Sequence, residues 1–457
     1  MSLPLVTRNE TPSLQAEQNQ SQLWPRLLLI LLLLLPLAIL FLMPGGGLLG
    51  GGAWLWIAFL VSFWLIWAML GSPKEVKSVQ PEMRMLADSE EPDAVRNVMG
   101  IRVATEQEGI KIFRGKLLVP AAAAYEKLKR AFGGEAVPML QQDDHAGAAI
   151  IRVPAAAGQE SREHPIRPWV HWLLFGLTVL TTTWAGAAHQ GINILREPQK
   201  FPVGLPYALG LMAILGIHEL GHYFAARSHG MRVTPPYFVP IPFALGTFGA
   251  FIQMRSPAED RKALFDVAVA GPLAGLTVAI PALLIGLRSS LILTTSLPSG
   301  VEHMSGVSAG SFLLFAGLSK LVIGDALGQA HVLRLSPLAF AGWLGLLVTA
   351  LNLLPIGQLD GGHIARAMFG ARTGSAISSV SLWSLFLLAI FVWPGLLMWA
   401  IIVYFIAGRG ASPLEDVTSL SPWRRRIGYL TFAILVGILL PLPHSFWEAA
   451  GIHCPYL

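Results

Sequence analysis

The chain has 457 residues, 54% of them hydrophobic and only 13% charged, with a mean hydropathy of +0.58. So little charge does not coat a soluble protein of this length, and an integral membrane protein is expected. The net charge of +5 does not argue for a nucleic-acid partner, because the basic residues sit between apolar runs, where they set topology.

Apolar runs of about 20 residues, enough to cross a bilayer, recur along the chain. They fall at residues 27–43, 53–70, 169–188, 205–226, 264–287 and 337–354, followed by a long run at 377–407 and a short one at 427–440. The first run follows about 25 polar residues and has no small-residue cleavage site, so it is expected to stay as a signal anchor. Lys74, Lys77, Arg162 and Arg167 border the polar stretch after the second run. Arg227, Arg232, Arg255, Arg261 and Lys262 follow the fourth, and Arg366 and Arg372 the sixth. Placing these in the cytoplasm gives a regular alternation with the N-terminus inside. Arg409 and Arg424 to Arg426 join them if the 377–407 run is a hairpin broken at Pro394-Gly395, which makes nine spans; a single kinked helix there makes eight.

The fold expected is therefore a polytopic α-helical membrane protein of about eight or nine transmembrane helices, with a small cytoplasmic α+β domain inserted after the second span. Residues 1–71 form a polar tail and two spans, 72–167 the cytoplasmic domain, 168–372 the membrane core and 373–457 the last spans. Within the polar region, residues 109–118 and 148–153 alternate as strands and 121–132 has helical periodicity, after an acidic linker around 88–93. The apolar stretch 308–323 holds Ser311, Ser319 and Lys320, so an interfacial helix is expected there. The single cysteine, Cys454, rules out an intramolecular disulfide and a cysteine-based metal site.

The chemistry lies in the fourth run, which contains His218-Glu219-Leu220-Gly221-His222. Four residues apart on a helix, His218 and His222 face the same way and can offer two imidazole nitrogens to one ion. Glu219 can reach a water on that ion without ligating it, the arrangement a zinc peptidase needs. Two histidines and a glutamate inside an apolar span carry a solvation cost that a purely structural role struggles to offset. Zinc suits such a nitrogen and oxygen donor set, with iron and cobalt as alternatives. A third ligand is required. Asp360 follows the sixth run, beyond a helix-stopping Pro355, with Gly361 and Gly362 to let an unwound backbone turn towards the ion. Asp266 is the rival, though it is placed to favour the start of its own helix, and His363 is a further candidate.

The pair of motifs, His218-Glu219-x-x-His222 and Asn352-x-x-Pro355-x-x-x-Leu359-Asp360-Gly361, resembles the site-2 protease family over residues 205–372. The stretches 246–253 and 265–275 are similar to the branch of cyanobacteria, chloroplasts and many bacteria, which lacks a PDZ domain. The resemblance implies His218, His222 and Asp360 as Zn2+ ligands, Glu219 as general base, and Asn352 as a residue that orients substrate or the tetrahedral intermediate. It implies regulated intramembrane proteolysis of membrane proteins that carry a transmembrane helix. The expected location is a bacterial cytoplasmic membrane, with the lipid bilayer as surroundings, no nucleic acid and an oligomeric state left open. An inactive scaffold relative and a membrane metal transporter are the competing functions. The Pro- and Gly-rich stretch 230–256 is too interrupted for a spanning helix, and residues 246–253 are expected either as a strand that accepts unwound substrate or as a plain connection.

Overall fold

The computed structural model describes residues 84–440 apart from 88–90, 108, 134–135, 144–147, 155–167, 243–244, 295–311, 325–330, 392–396, 398–399, 402 and 405–411, and all of these lie in one compact unit, Met83–Leu457. The two runs expected at 27–43 and 53–70, Cys454, and the proposed break at Pro394-Gly395 lie outside the described residues.

The first part of the unit is a sheet layer. Strands β1 (Arg84–Met85), β2 (Met99–Gln107), β3 (Ile110–Leu117), β4 (Met139–Gln142) and β5 (Ala149–Pro154) form an antiparallel sheet in the order β1-β2-β3-β5-β4. Gln107 pairs with Ile110, and Gly109, just before Ile110, takes a positive φ of 75° that glycine accepts without strain. A short helix α1 (Asp93–Arg96) precedes β2, and helix α2 (Ala121–Phe132) crosses between β3 and β4. Ala124, Tyr125 and Leu128 make one buried stripe on α2. They pack with Val98, Phe113, Leu140 and Ile151 in a core that also takes in Leu414, from far along the chain.

The second part is helical. Helices α3 (Pro168–His189), α4 (Leu205–Ser228), α5 (Arg261–Arg288), α6 (Leu313–Ile323), α7 (Pro337–Leu353), α8 (Asp360–Phe391) and α9 (Pro422–Leu439) follow in order, with a 3-10 turn at Pro198–Gly204 leading into α4. Three segments among the described residues are long and apolar enough to cross a membrane: Pro198–Ser228, Arg261–Arg288 and Asp360–Ile390. The last is not a straight rod. Gly370 adopts φ 85° and ψ 174°, and the chain beyond it doubles back until Gly374 lies against the Arg366 backbone and Ser378 accepts a hydrogen bond from the Gly357 amide at 2.7 Å. Helices α4, α5 and α7 form the buried centre, where small residues let backbones approach. An added Cβ at Gly342 would sit 2.5 Å from the Leu283 nitrogen, and one at Gly221 2.6 Å from the Ala270 carbonyl oxygen.

Two short two-stranded sheets complete this part. Strands β6 (Tyr237–Pro240) and β7 (Thr247–Phe251) pair antiparallel, as do β8 (Leu291–Thr294) and β9 (His331–Arg334). The β6–β7 hairpin rests on α3. Thr181 donates to the Gly246 carbonyl at 2.6 Å, and His171 Nδ1 lies 3.1 Å from the Pro236 carbonyl. The other threonines of α3 satisfy their hydroxyls on its own carbonyls, Thr178 on Leu174 and Thr182 on Thr178, so this apolar helix carries them without orphaned donors.

Candidate metal centre and active site

Helix α4 carries His218, Glu219 and His222 well inside its length, all three buried. The helical repeat stacks the two imidazoles on the face turned to α5. There, α5 presents glycine: an added Cβ at Gly271 would lie 2.1 Å from His222 Nε2, and one at Gly275 3.2 Å from His218 Nδ1. His222 Nδ1 faces the Val267 carbonyl at 2.8 Å. A proton on Nδ1 donates there and leaves the Nε2 lone pair directed at the centre, which is how a ligating histidine is oriented by its second nitrogen.

The third donor comes from the far side. Helix α7 ends at Leu353 because Pro355 holds Leu354 extended, at ψ 128°. The unwound stretch covers residues 354–359, with Gly357 at φ 51°, and the chain re-enters a helix at Asp360 itself. This corrects the expectation that Gly361 and Gly362 unwind the backbone. Both are helical, and they are small because the start of α8 is pressed onto the end of α7: an added Cβ would lie 1.9 Å from the Leu353 oxygen at Gly361 and 2.4 Å from the Gly357 oxygen at Gly362.

The three residues meet. His218 Nε2 and His222 Nε2 are 3.1 Å apart, and Asp360 Oδ2 is 3.5 Å from the first and 3.3 Å from the second. Tetrahedral zinc with ligand bonds of about 2.0 to 2.2 Å places neighbouring donors about 3.3 Å apart, so this triangle has the size that one zinc ion requires. Among the described residues it is the one group of three histidine or carboxylate donors close enough to share an ion. Glu219 is not one of the three donors, and the Ile252 amide just past β7 lies near its carboxylate. The Asn352 side-chain amide nitrogen, one residue before the end of α7, lies 3.3 Å from His218 Nε2.

Asp266 is occupied elsewhere. Arg424, on α9, grips it through Nε and Nη2, both at 2.8 Å, and His229 Nε2 adds a third contact at 3.0 Å. The expectation that Asp266 serves the start of its own helix gives way to this ion pair, and Arg424, read as a topology signal, is its partner. His363 stands outside the donor triangle, with a buried Nδ1 that has no hydrogen-bond partner among the described residues.

Two histidines one helical turn apart and a carboxylate entering from another helix thus form a group that could hold a metal ion inside an apolar bundle, with a glutamate beside it. Residues 206–392 match the model of Peptidase family M50. The chain is 33% identical over 350 residues to "Probable zinc metalloprotease EGY2, chloroplastic" of Oryza sativa subsp. indica, covering 74% of this chain and 62% of the relative. It is 31% identical over 354 residues to the Arabidopsis thaliana protein of that name, covering 74% and 61%. Identity to "Probable zinc metalloprotease EGY1, chloroplastic" of Arabidopsis thaliana is 33% over 341 residues, 69% and 61% of the two chains. The chain thus spans about three fifths of the length of these curated relatives. No solved structure matches. The relatives are named as chloroplastic, which overturns the expectation of a bacterial cytoplasmic membrane.

Proposed function

We propose that the protein is an intramembrane zinc metalloprotease that hydrolyses a peptide bond in or beside a transmembrane segment of membrane-protein substrates. The observation that carries this reading is the zinc-sized triangle of His218, His222 and Asp360 beside a glutamate outside the ligand set. Bound by those three residues, zinc would supply a Lewis acid that brings the pKa of a water towards neutrality and polarises a carbonyl.

The chain's own residues do the rest. Glu219 accepts a proton from the attacking water and delivers it to the departing amine nitrogen. The Ile252 amide, just past β7, lies near its carboxylate. Asn352 is positioned to donate its amide to the carbonyl oxygen as charge develops there. A helical substrate keeps its carbonyls in its own hydrogen bonds, so it must unwind before attack. Among the described residues strand β7 pairs with β6 alone, and its other edge would suit the addition of unwound substrate in extended form. The apolar helices place this chemistry within a bilayer, and eight or nine spans, with the sheet layer on the face rich in arginine and lysine, is the arrangement we favour.

Neither competing function has a specific observation in its favour. A transporter calls for a path of in-span donors, whereas the described residues hold one group. A substrate-binding scaffold gives no use to the buried Glu219. The test is cleavage of a single-pass membrane protein by the full chain in proteoliposomes. Chelation should stop cleavage and added zinc should restore it. Cleavage that survives complete removal of metal would dismiss the reading.

A further inference from the structure

Far from the motifs in sequence, residues 412–418 run as a short strap between the sheet layer and the helices. On one side the Leu140 amide donates to the Leu414 carbonyl at 2.7 Å and the Asp416 amide to the Leu140 carbonyl at 2.9 Å, at the edge of the sheet formed by β4. On the other side the Leu414 and Glu415 amides donate to the carbonyls of Ala258 and Glu259, at 3.0 and 2.8 Å, just ahead of α5. Glu415 turns its buried carboxylate back to accept from the amides of Val417 and Thr418. The strap is thus held along its backbone from both sides.

Its second acidic residue, Asp416, is 2% exposed and meets two arginines, one on α5 and one on α8. Arg261, the first residue of α5, donates through Nε to Asp416 Oδ1 at 2.7 Å and through Nη2 to the Asp416 carbonyl at 2.6 Å. That fork geometry is available to arginine and not to lysine. Arg366, on the first arm of α8 with Asp360, places Nη2 3.8 Å from Asp416 Oδ2 and donates to the Ser412 hydroxyl. The Arg261 guanidinium also lies against the break in α8, where a Cβ added at Gly370 would be 3.0 Å from Nη2.

These contacts join two walls of the site. Helix α5 carries Gly271 and Gly275, which set how closely His222 and His218 can lie, and the first arm of α8 carries Asp360. We propose that Asp416 is a positioning residue for the metal centre, clamping through Arg261 and Arg366 the wall behind the two histidines to the helix that brings the third ligand. The inference rests on the reading of His218, His222 and Asp360 as the metal ligands. Asp416 touches neither metal nor substrate and acts through the spacing of groups that do. Outer partners of metal sites commonly change metal affinity by about 10- to 100-fold when removed.

A plain staple between the two layers would lower thermal stability and leave zinc affinity of the folded protein as it was. The test therefore measures zinc affinity by chelator competition on the detergent-purified full chain, for wild type, Asp416→Asn and Asp266→Asn. The Asp266 variant loses an ion pair on the same helix α5, but its partner Arg424 lies on α9 and not on α8, the helix of Asp360. We expect Asp416→Asn to weaken zinc by about 10-fold or more, with faster hydrogen exchange across residues 361–369, and Asp266→Asn to bind zinc as wild type does. Should Asp416→Asn fail to fold, Ser412→Ala removes only the hydroxyl that Arg366 donates to and should weaken zinc in the same direction by less. Unchanged zinc affinity in the variant that folds, or an equal loss in Asp266→Asn, overturns the proposal. A wild-type chain that takes up no zinc defeats the metal reading itself and this proposal with it.

Discussion

Gly271→Ala is the substitution with the most direct consequence for the metal centre. The new methyl would sit 2.1 Å from His222 Nε2, 2.4 Å from Cδ2 and 2.5 Å from Cε1, where ordinary contact begins at 3.4 Å. Restoring contact distance moves the ring by about 1.3 Å if α5 stays in place. The ring has little room to comply, because its Nδ1 is tied to Val267 at 2.8 Å and its Nε2 is 3.1 Å from that of His218. Metal sites tolerate deviations of about 0.2 Å in ligand distance, so a shift of this size removes His222 as a ligand. Overpacking of this kind costs about 1 to 3 kcal/mol in stability, and zinc affinity should fall by at least the 100-fold seen when the partners of a ligand are lost. Gly176→Ala is the control, since a Cβ there meets nothing within 4 Å on a residue exposed on α3. Zinc titration against a chelator, with thermal unfolding of both variants, gives the answer. A Gly271→Ala protein that folds and holds zinc with wild-type affinity would refute the placement of His222 against α5.

Further outcomes follow from the same geometry. Asp360→Ala should lose zinc while Asp266→Ala keeps it, measured as metal content after purification in mild detergent; the opposite result would exchange their roles. Asn352→Ala should retain zinc and lower kcat by about 100- to 1,000-fold, the usual loss for an oxyanion donor, with a wild-type rate counting against its role. Cysteines introduced at Ser299 and Ser161, after replacement of Cys454, should label and not label respectively with a membrane-impermeant thiol reagent in whole cells of an expression host. The reverse pattern would invert the proposed topology.

Much of the catalytic helix was legible because its signal is local. His218 and His222 need only the helical repeat to share a face, and the apolar run around them marks the helix. Helix α2 spans the residues expected of it because Ala124, Tyr125 and Leu128 repeat at helical spacing after Pro120. Strand β2 was missed because a register shift between Ile101 and Val103 leaves Arg102 unpaired and breaks the alternation of its side chains. Gly361 and Gly362 were misread for another reason: glycine serves both a free backbone and a crowded one, and only the neighbouring end of α7 tells which. The strap around Asp416 leaves no mark in sequence at all. Its backbone partners are Leu140 and Ala258, its charge partners Arg261 and Arg366, and each lies far away along the chain. Arg424 carried a topology signal by its position, and the ion pair with Asp266 across 158 residues could not be inferred from it.

The proposed function requires a carboxylate outside the ligand set to serve a zinc site built from His218, His222 and Asp360. Glu219→Gln separates the two parts, because it keeps the size of the side chain and removes its ability to take a proton. The measurement is zinc content and cleavage of a membrane-embedded single-pass substrate on the same preparation of this variant in proteoliposomes. Zinc should stay at the wild-type level with cleavage abolished, while His222→Ala should lose both. Wild-type cleavage by Glu219→Gln, or loss of its zinc in a folded protein, would contradict it.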